Sequence, residues 1–267
     1  MTSPVIRRSL RLAQRDRRGG SDSLADGGGD ASPGNRAGFM AGLSLIRRLI
    51  KVFHSEGIPW PGTTFYNTIS STGIFQRNYE LVASDIISYG SEGSILDIGT
   101  GPGRLLIELH RQSLMLRLTG IDVSSSMVSK ARKNIADAGL SCEIKVEEGN
   151  ASHMPFDDGS FDIVVSTGTI HHWKDPVAGL NEVYRVLKKG GYALMYDIVS
   201  DTPASVLKET ARQFGRLKIM LLWLHAFEEP FYSQKAFGLL AQPSLFRKGE
   251  TRFMGVLCCL ILKKEAE

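Results

Sequence analysis

Cysteine is scarce in this chain: only Cys142, Cys258 and Cys259 occur among 267 residues. Three cysteines at this spacing are too few for a disulfide framework or a cysteine-based zinc site. We therefore expect buried thiols and a reducing compartment, with the cytoplasm as the simplest location. The sequence predicts no metal site.

Long hydrophobic runs are also lacking. The longest, residues 253–262 (FMGVLCCLIL), is closed by Lys263 and Lys264, whereas a membrane-spanning helix needs about 20 apolar residues. The run 219–227 (IMLLWLHAF) is shorter still. Neither run is predicted to span a membrane, and 253–262 is predicted to be a buried strand.

Excess charge is confined to the N-terminus. Of the net charge of +4, residues 1–56 carry +5, from ten Lys/Arg and five Asp/Glu, so the remainder is close to neutral. A neutral domain lacks the basic surface typical of nucleic-acid binding. We expect no nucleic-acid partner.

The N-terminal region has few large apolar residues. Residues 1–38 are rich in Gly, Ser, Asp and Arg and are predicted to be a disordered basic tail; their Arg-rich start also allows an organelle transit peptide. An N-terminal helix is predicted within 39–60, and its basic amphipathic part, 40–56, either contacts a membrane surface peripherally or packs against its own domain.

Residues 39–267 form one predicted α/β domain. Its strand-like runs are 94–98, 117–123, 142–148, 161–166 and 191–199, and helical patterns fill 103–112, 125–138 and 176–188. This alternation predicts a Rossmann-like, doubly wound, mostly parallel sheet of seven strands. The runs SLFRKG and FMGVLCCLILKK are too close together for a crossover, so they predict a C-terminal antiparallel hairpin. The region 200–243 is a lid-like insertion.

The first strand-to-helix turn carries the strongest motif, SILDIGTGPGR at 94–104. It lacks the Gly-Lys-Ser/Thr of a P-loop, and Arg104 stands where a dinucleotide-binding turn has its third glycine. Asp97 would repel a pyrophosphate and attract an ammonium group. A ligand with a cationic amino acid end and a nucleoside end fits both features, and S-adenosylmethionine is such a ligand.

The end of the second predicted strand supplies another acid, Asp122, in LTGIDVSSSM. It follows Gly103 by 19 residues, where an acid meets ribose hydroxyls in this kind of fold. Ser124 is predicted to cap the next helix. Met127, one turn further on, either lies against the adenine or belongs to the core.

Four segments together carry a family resemblance: ILDIGTGPGR, GIDVSSSMV, EGNASHMPFDDGSFDIVVSTGTIHH and EVYRVLKKGGYALM. In this order they resemble class I S-adenosylmethionine-dependent methyltransferases, most closely the small-molecule branch that includes the ubiquinone/menaquinone-biosynthesis type. The resemblance covers about residues 65–200.

The resemblance implies a set of cofactor contacts. Asp97 would hold the amino group, Asp122 the ribose, and Ser166 and Thr167 would face the sulfur and the acceptor. Asn150 stands where the family usually has an acid; its amide oxygen can still accept from the adenine amino group. The cofactor-binding residues implied or predicted are Asp97, Gly99, Thr100, Gly101, Gly103, Asp122, Val123, Met127, Asn150, Ala151, Ser166 and Thr167.

The resemblance also suggests roles for three further side chains. His171 either acts as a general base toward a hydroxyl acceptor or, with His172, holds the loop by hydrogen bonds. Tyr66 would close over the methionine carboxylate, as an N-terminal tyrosine does in related enzymes.

The function expected is methyl transfer from S-adenosylmethionine to O or C of a small, partly apolar acceptor, leaving S-adenosylhomocysteine. No Asn-Pro-Pro-Tyr type motif follows the fourth strand, which argues against amine methylation of nucleic acids. Two alternatives stay open: a nicotinamide-dependent reductase, and a non-catalytic protein that binds the cofactor as a regulator or partner. The sequence predicts no oligomeric state.

Overall fold

The computed structural model describes residues 73–215 and 231–266. The predicted tail (1–38), the N-terminal helix (39–60) and Tyr66 lie outside the described residues. So does 216–230, the middle of the predicted insertion, with Trp223, His225 and Phe227.

Strands and helices alternate along most of the described chain. In order they are α1 (Gly73–Ile87), β1 (Gly93–Ile98), α2 (Arg104–Gln112), β2 (Leu116–Asp122), α3 (Ser125–Asp137), β3 (Ile144–Glu148), β4 (Phe161–Thr167), a 3-10 turn (Ile170–His172), α4 (Pro176–Val186), β5 (Leu187–Asp197), α5 (Ala204–Phe214), α6 (Gln234–Leu239), β6 (Glu250–Met254) and β7 (Leu257–Lys263).

The strands form a seven-stranded sheet in the order β3-β2-β1-β4-β5-β7-β6. The first five are parallel, and β7 runs antiparallel to both β5 and β6. The chain order reverses between β1 and β4, which is where open α/β sheets bind ligands at the carboxyl ends of their strands. The predicted fold class is confirmed.

Two hydrophobic clusters cover the two faces of the sheet. Neighbouring strand residues alternate between them: Ile95 belongs to the cluster that contains α1, α2 and α3, and Leu96 to the one that contains α4 and α6. This alternation follows the two-residue period of a strand. The sheet is therefore doubly wound, and its carboxyl edge stays available for a site.

The terminal hairpin is present, but its predicted boundaries are wrong. Residues 244–249 are not a strand, and the apolar run 253–262 contains the turn itself, with Met254 paired to Leu257. Gly255, at φ 57°, starts this two-residue loop, a position for which hairpin turns select glycine. The run looked continuous because its turn carries no polar residue.

β5 begins earlier than the sequence predicts. It starts at Leu187 rather than 191, with a register shift against β4. Gly190 (φ 82°) and the backbone bonds that join Gly190 and Gly191 to Lys264 keep the pair of glycines within the sheet. The glycine pair, which suggests a turn in the sequence, forms an irregularity inside the strand.

A buried polar group fixes the carboxyl end of β5 to α1. The Tyr196 hydroxyl donates to Asp85 at 2.6 Å, and Arg252 of β6 bonds the other oxygen of that carboxylate. Burial raises the pKa of Tyr196 and keeps its proton in place. Asp197 is the next residue and the last of β5.

The expectation that all three cysteines are buried is wrong for one of them. Cys258 and Cys259 are buried, but Cys142 is exposed, because it lies in the turn before β3 rather than in that strand. Within residues 73–215 and 231–266, no helix is long and apolar enough to cross a membrane.

Candidate active site

The glycine-rich turn joins β1 to α2 at the carboxyl edge of the sheet. Gly99, Gly101 and Gly103 all have positive φ, at 71°, 51° and 75°. A Cβ on Gly99 would lie 2.5 Å from the Thr169 Cγ2, so only glycine fits there. The backbone N–H groups of Gly99 and Thr100 donate to the Ile121 carbonyl at 2.8 and 3.0 Å, which fixes the turn against β2.

Asp97, the next-to-last residue of β1, lies just before this turn and is 2% exposed. Its carboxylate accepts from the Thr100 hydroxyl at 2.7 Å. Burial raises the pKa of Asp97 to about 7; the Thr100 bond opposes this shift, and the negative charge of Asp122 adds to it.

Asp122 is the last residue of β2. Its carboxylate connects the glycine-rich turn to the turn between β2 and α3. One oxygen accepts from the Gly101 N–H at 2.9 Å, and the other from the Ser124 N–H at 2.9 Å. Burial raises its pKa, while the two backbone bonds work in the opposite direction. Each carboxylate oxygen still has lone-pair capacity for a ligand hydroxyl.

The two carboxylates create a site that favours a cation. Neither Asp97 nor Asp122 forms an ion pair within the described ranges. Buried acids without a cationic partner are costly, and a ligand that brings both a positive charge and hydroxyl donors relieves that cost. An amino acid end linked to a nucleoside has this composition, so the residues present fit S-adenosylmethionine.

An apolar surface flanks the end of β2. Val123 is 47% exposed although it is a large aliphatic residue, and Met127 is buried yet belongs to neither core cluster. The predicted cap is confirmed, because the Ser124 hydroxyl accepts from the Met127 N–H. Val123 thus offers an exposed apolar surface next to Asp122, suited to an aromatic base, whereas the Met127 side chain, further along the chain in the first turn of α3, is buried.

The loop after β3 carries Asn150 and Ala151. The Asn150 amide oxygen accepts from the Ser152 N–H at 2.8 Å, so part of its capacity is used within its own loop. Its second lone pair remains for a base amino group. Ala151 packs against the core cluster of α4 and α6.

The end of β4 brings two hydroxyls to the same edge. Ser166 is buried, and its hydroxyl lies 2.6 Å from the Thr169 hydroxyl. The Thr167 Oγ1 is buried and makes no hydrogen bond to any residue that the structure describes. A buried hydroxyl without a partner is uncommon in a folded protein, and this one lies where β4 ends, beside the glycine-rich turn.

His171 forms a buried pair with Asp197 at the ends of β4 and β5. The Nδ1 atom lies 2.8 and 3.0 Å from the two carboxylate oxygens, and the His171 backbone N–H donates to the same group at 3.2 Å. Asp197 is 1% exposed. The His171 ring also contacts His172 and Phe231, at centroid distances of 3.9 and 4.5 Å.

Sequence reasoning named His171 but missed Asp197. The two residues are 26 positions apart, and no local pattern links them. The available signal was topological: an acid at the carboxyl end of the fifth strand lies at the same edge as the residues that follow the first, second and fourth.

A separate cleft of about 610 Å³ lies at the opposite, amino edge of the sheet, between Tyr89, Met115 and Tyr192. Two of the charged residues that line it form an ion pair, since the Lys188 Nζ lies 2.7 Å from the Asp162 Oδ2. None of the site residues described above lines it.

Comparisons with known proteins identify the family of the chain. A family model described as "Methyltransferase domain" matches residues 96–195. The chain is 33% identical over 161 residues to the ubiquinone/menaquinone biosynthesis C-methyltransferase UbiE of Geotalea daltonii. These aligned residues make up 60% of this chain and 67% of the relative. It is 34% identical over 126 residues to the chloroplastic 2-methyl-6-phytyl-1,4-hydroquinone methyltransferase 1 of Oryza sativa subsp. japonica. This alignment spans 47% of this chain and 36% of that protein.

Solved structures show the same fold. A candidate S-adenosyl-L-methionine-dependent methyltransferase of Methanococcus maripaludis matches 80% of this chain and 98% of its own, with a TM-score of 0.59 and 27% identity. A SAM-dependent methyltransferase of Aquifex aeolicus matches 76% of this chain and 98% of its own, with a TM-score of 0.58 and 19% identity. The chain belongs to the class I S-adenosylmethionine-dependent methyltransferases, and S-adenosylmethionine is its methyl donor.

Proposed function

We propose that this methyltransferase acts on a small, partly apolar acceptor with an ionisable hydroxyl, such as a hydroquinone, and that His171 takes the hydroxyl proton. The observation that carries the proposal is the buried His171–Asp197 pair at the carboxyl edge of the sheet. A protein that only binds the cofactor has no need of such a pair.

Asp197 determines which nitrogen of His171 can act as a base. A carboxylate 2.8 Å from Nδ1 holds the proton on that nitrogen of a neutral imidazole, so the lone pair is on Nε2. The backbone bond from His171 to the same carboxylate fixes the ring from a second point. His171 can therefore receive a proton, and Asp197 positions it.

The names of two relatives indicate a class of acceptor. One is a ubiquinone/menaquinone biosynthesis C-methyltransferase and the other a hydroquinone methyltransferase. Removing a phenolic proton raises the electron density on the oxygen and on the ortho ring carbons, so one base serves O- or C-methylation. When bound, S-adenosylmethionine supplies an activated methyl group, and the rest of the barrier is lowered mainly by positioning and exclusion of water.

We assign the cofactor cradle to the residues at the ends of β1, β2, β3 and β4. Asp97 faces the ammonium group, Asp122 the ribose hydroxyls, and Val123 with Met127 the adenine. Asn150 and Ala151 complete the adenine end, while Thr100 and the three glycines line the methionine end. Ser166 and Thr167 face the sulfur, where the buried Thr167 hydroxyl would find a partner.

The part of the predicted insertion 200–243 that precedes α6 is proposed as a lid over the acceptor. Its two ends meet, because the Ser200 N–H donates to the Tyr232 carbonyl at 2.9 Å and the Asp201 carboxylate accepts from the Gln234 N–H at 2.7 Å. Phe231, at the start of the returning segment, packs on the His171 ring. The segment thus leaves and returns beside the proposed base.

The acceptor class is tested with the full chain, labelled S-adenosylmethionine and matched pairs of acceptors. A short-tailed hydroquinone should accept the label, and its dimethyl ether, which has no ionisable hydroxyl, should not. Equal transfer to both would remove the need for a base. Failure of every hydroxylated acceptor, with cofactor binding intact, would favour the non-catalytic alternative.

Asp97 should make cofactor binding depend on pH. Its pKa of about 7 means that the ionised form, which attracts an ammonium group, is lost as the pH falls. Below that pKa, the affinity for S-adenosylhomocysteine should fall by about tenfold per pH unit, measured by isothermal titration calorimetry. At alkaline pH, deprotonation of the ligand amino group should weaken binding again.

Asp97→Asn tests this assignment. The variant should bind S-adenosylhomocysteine more weakly at pH 7.5 and show little change between pH 5.5 and 7. Asp137→Asn, which removes an exposed carboxylate on α3, should retain the wild-type profile. A wild-type profile in Asp97→Asn would show that the ammonium group binds elsewhere.

A further inference from the structure

Arg185, in the last turn of α4, forms a hydrogen-bonded clamp on the loop between β3 and β4. Its Nη2 and Nη1 atoms donate to the carbonyls of Met154 and Phe156 at 3.0 and 2.6 Å. Its Nε and Nη2 atoms also bond the two carboxylate oxygens of Glu182, one turn earlier on α4, at 2.9 and 2.8 Å. All three nitrogens of the guanidinium are therefore engaged, and the Arg185–Glu182 clamp fixes the loop to the helix.

The clamp holds both backbone polar groups of Met154. The Met154 N–H donates to the Glu182 Oε2 at 3.0 Å, while its carbonyl accepts from Arg185. The bonds from Arg185 lower the pKa of Glu182 against the effect of burial, so this group remains a carboxylate near neutral pH. Hydrogen bonds to charged groups are stronger than those between neutral ones. The Met154 side chain is buried in the core cluster of α4 and α6, which adds a third attachment.

Met154 directly follows the turn 150–153, which carries the two residues assigned to the adenine end of the cradle. The turn is closed by a bond from the His153 N–H to the Asn150 carbonyl at 3.0 Å. Just before the turn, the Gly149 N–H donates to the backbone carbonyl at the end of β2 at 3.0 Å. The turn is therefore tied to β2 at one end and to α4 at the other.

We infer that Arg185 is a positioning residue for the adenine end of S-adenosylmethionine, acting through Glu182 and the backbone of the turn 150–153. A hydrogen bond from the adenine amino group to the Asn150 amide oxygen depends on direction as well as distance. A turn that is fixed at both ends presents this oxygen in one place before the ligand binds, which favours the matching base without adding a contact. This role rests on the proposed cradle, of which Arg185 itself is not a part.

Two ligands that differ at one group of the base test this role. S-adenosylhomocysteine carries an amino donor on its purine, and S-inosylhomocysteine has a carbonyl oxygen there. For the wild-type full chain, titration calorimetry should give about tenfold tighter binding of S-adenosylhomocysteine. Arg185→Gln removes the clamp and should reduce this preference to about threefold or less. Arg185→Lys keeps the charge but not the planar fork, so it should give an intermediate preference.

The matched control is Arg132→Gln on α3. The Arg132 Nε and Nη2 atoms both donate to the Val146 carbonyl of β3, at 2.9 and 2.7 Å. This variant also removes bonds between an arginine and a backbone carbonyl, but it leaves the clamp on the loop intact. It should keep the wild-type preference between the two ligands, even where thermal melting shows a similar loss of stability.

The ratio of the two affinities separates positioning from general stability. If Arg185→Gln lowered the melting temperature and weakened both ligands by the same factor, Arg185 would be purely structural and the inference wrong, while the cradle stood. An equal loss of preference in Arg132→Gln would contradict it as well. If Arg185→Gln did not fold, a wild-type preference in Arg185→Lys would overturn the role. A wild type that bound both ligands equally would contradict the adenine end of the cradle and the inference with it.

Discussion

Replacing His171 by Gln, or Asp197 by Asn, should reduce the rate of methyl transfer by about 10²–10⁴-fold, the usual contribution of a positioned base. His171→Gln removes the base, and Asp197→Asn removes the carboxylate that keeps the lone pair on Nε2. Neither change touches the proposed cradle. The affinity for S-adenosylhomocysteine should therefore stay close to that of the wild type, while kcat falls.

Acceptor acidity distinguishes a base from a residue that only holds the loop. A phenol that is already ionised at the assay pH needs no base, so the loss caused by His171→Gln should shrink with such an acceptor. A purely structural histidine would cause the same loss with every acceptor, together with lower thermal stability and weaker cofactor binding. His172→Gln serves as the neighbouring control, and an equal effect there would also argue against a specific role for His171.

The second large effect is expected at Asp122. Asp122→Ala removes the proposed acceptor for the ribose hydroxyls and leaves the Gly101 and Ser124 N–H groups without their partner. The loss of this buried acceptor should cost about 1–3 kcal/mol of binding free energy, or about 5- to 150-fold in affinity for S-adenosylhomocysteine by calorimetry.

Adenosine and 2′,3′-dideoxyadenosine show whether that loss concerns the ribose. The wild type should prefer adenosine, and Asp122→Ala should lose the preference. Asp137→Ala, at an exposed site on α3, should leave both affinities unchanged. If Asp122→Ala kept the preference for adenosine, the ribose hydroxyls would have to bind elsewhere.

Much of the fold could be predicted because its signals are local. Apolar runs that end in Asp97 and Asp122, and glycines that take positive φ, place the cofactor turn without any knowledge of long-range contacts. The Ser124 cap is likewise a short-range pattern. These features arise from backbone sterics and hydrogen bonds within a few residues.

The rest depended on contacts that the sequence does not display. Asp197 meets His171 only because β4 and β5 pair in parallel, with Thr167 opposite Tyr196. The hairpin was misplaced because Gly255 is the only turn residue in an otherwise apolar run.

The most direct test of the account is a crystal structure of the full chain with S-adenosylhomocysteine. We predict the ribose hydroxyls on Asp122, the amino group at Asp97, and the sulfur facing Thr167 with the His171–Asp197 pair beyond it. A ligand bound away from the carboxyl ends of β1 and β2 would contradict the cradle. A sulfur that faces away from His171 would contradict its role as the base.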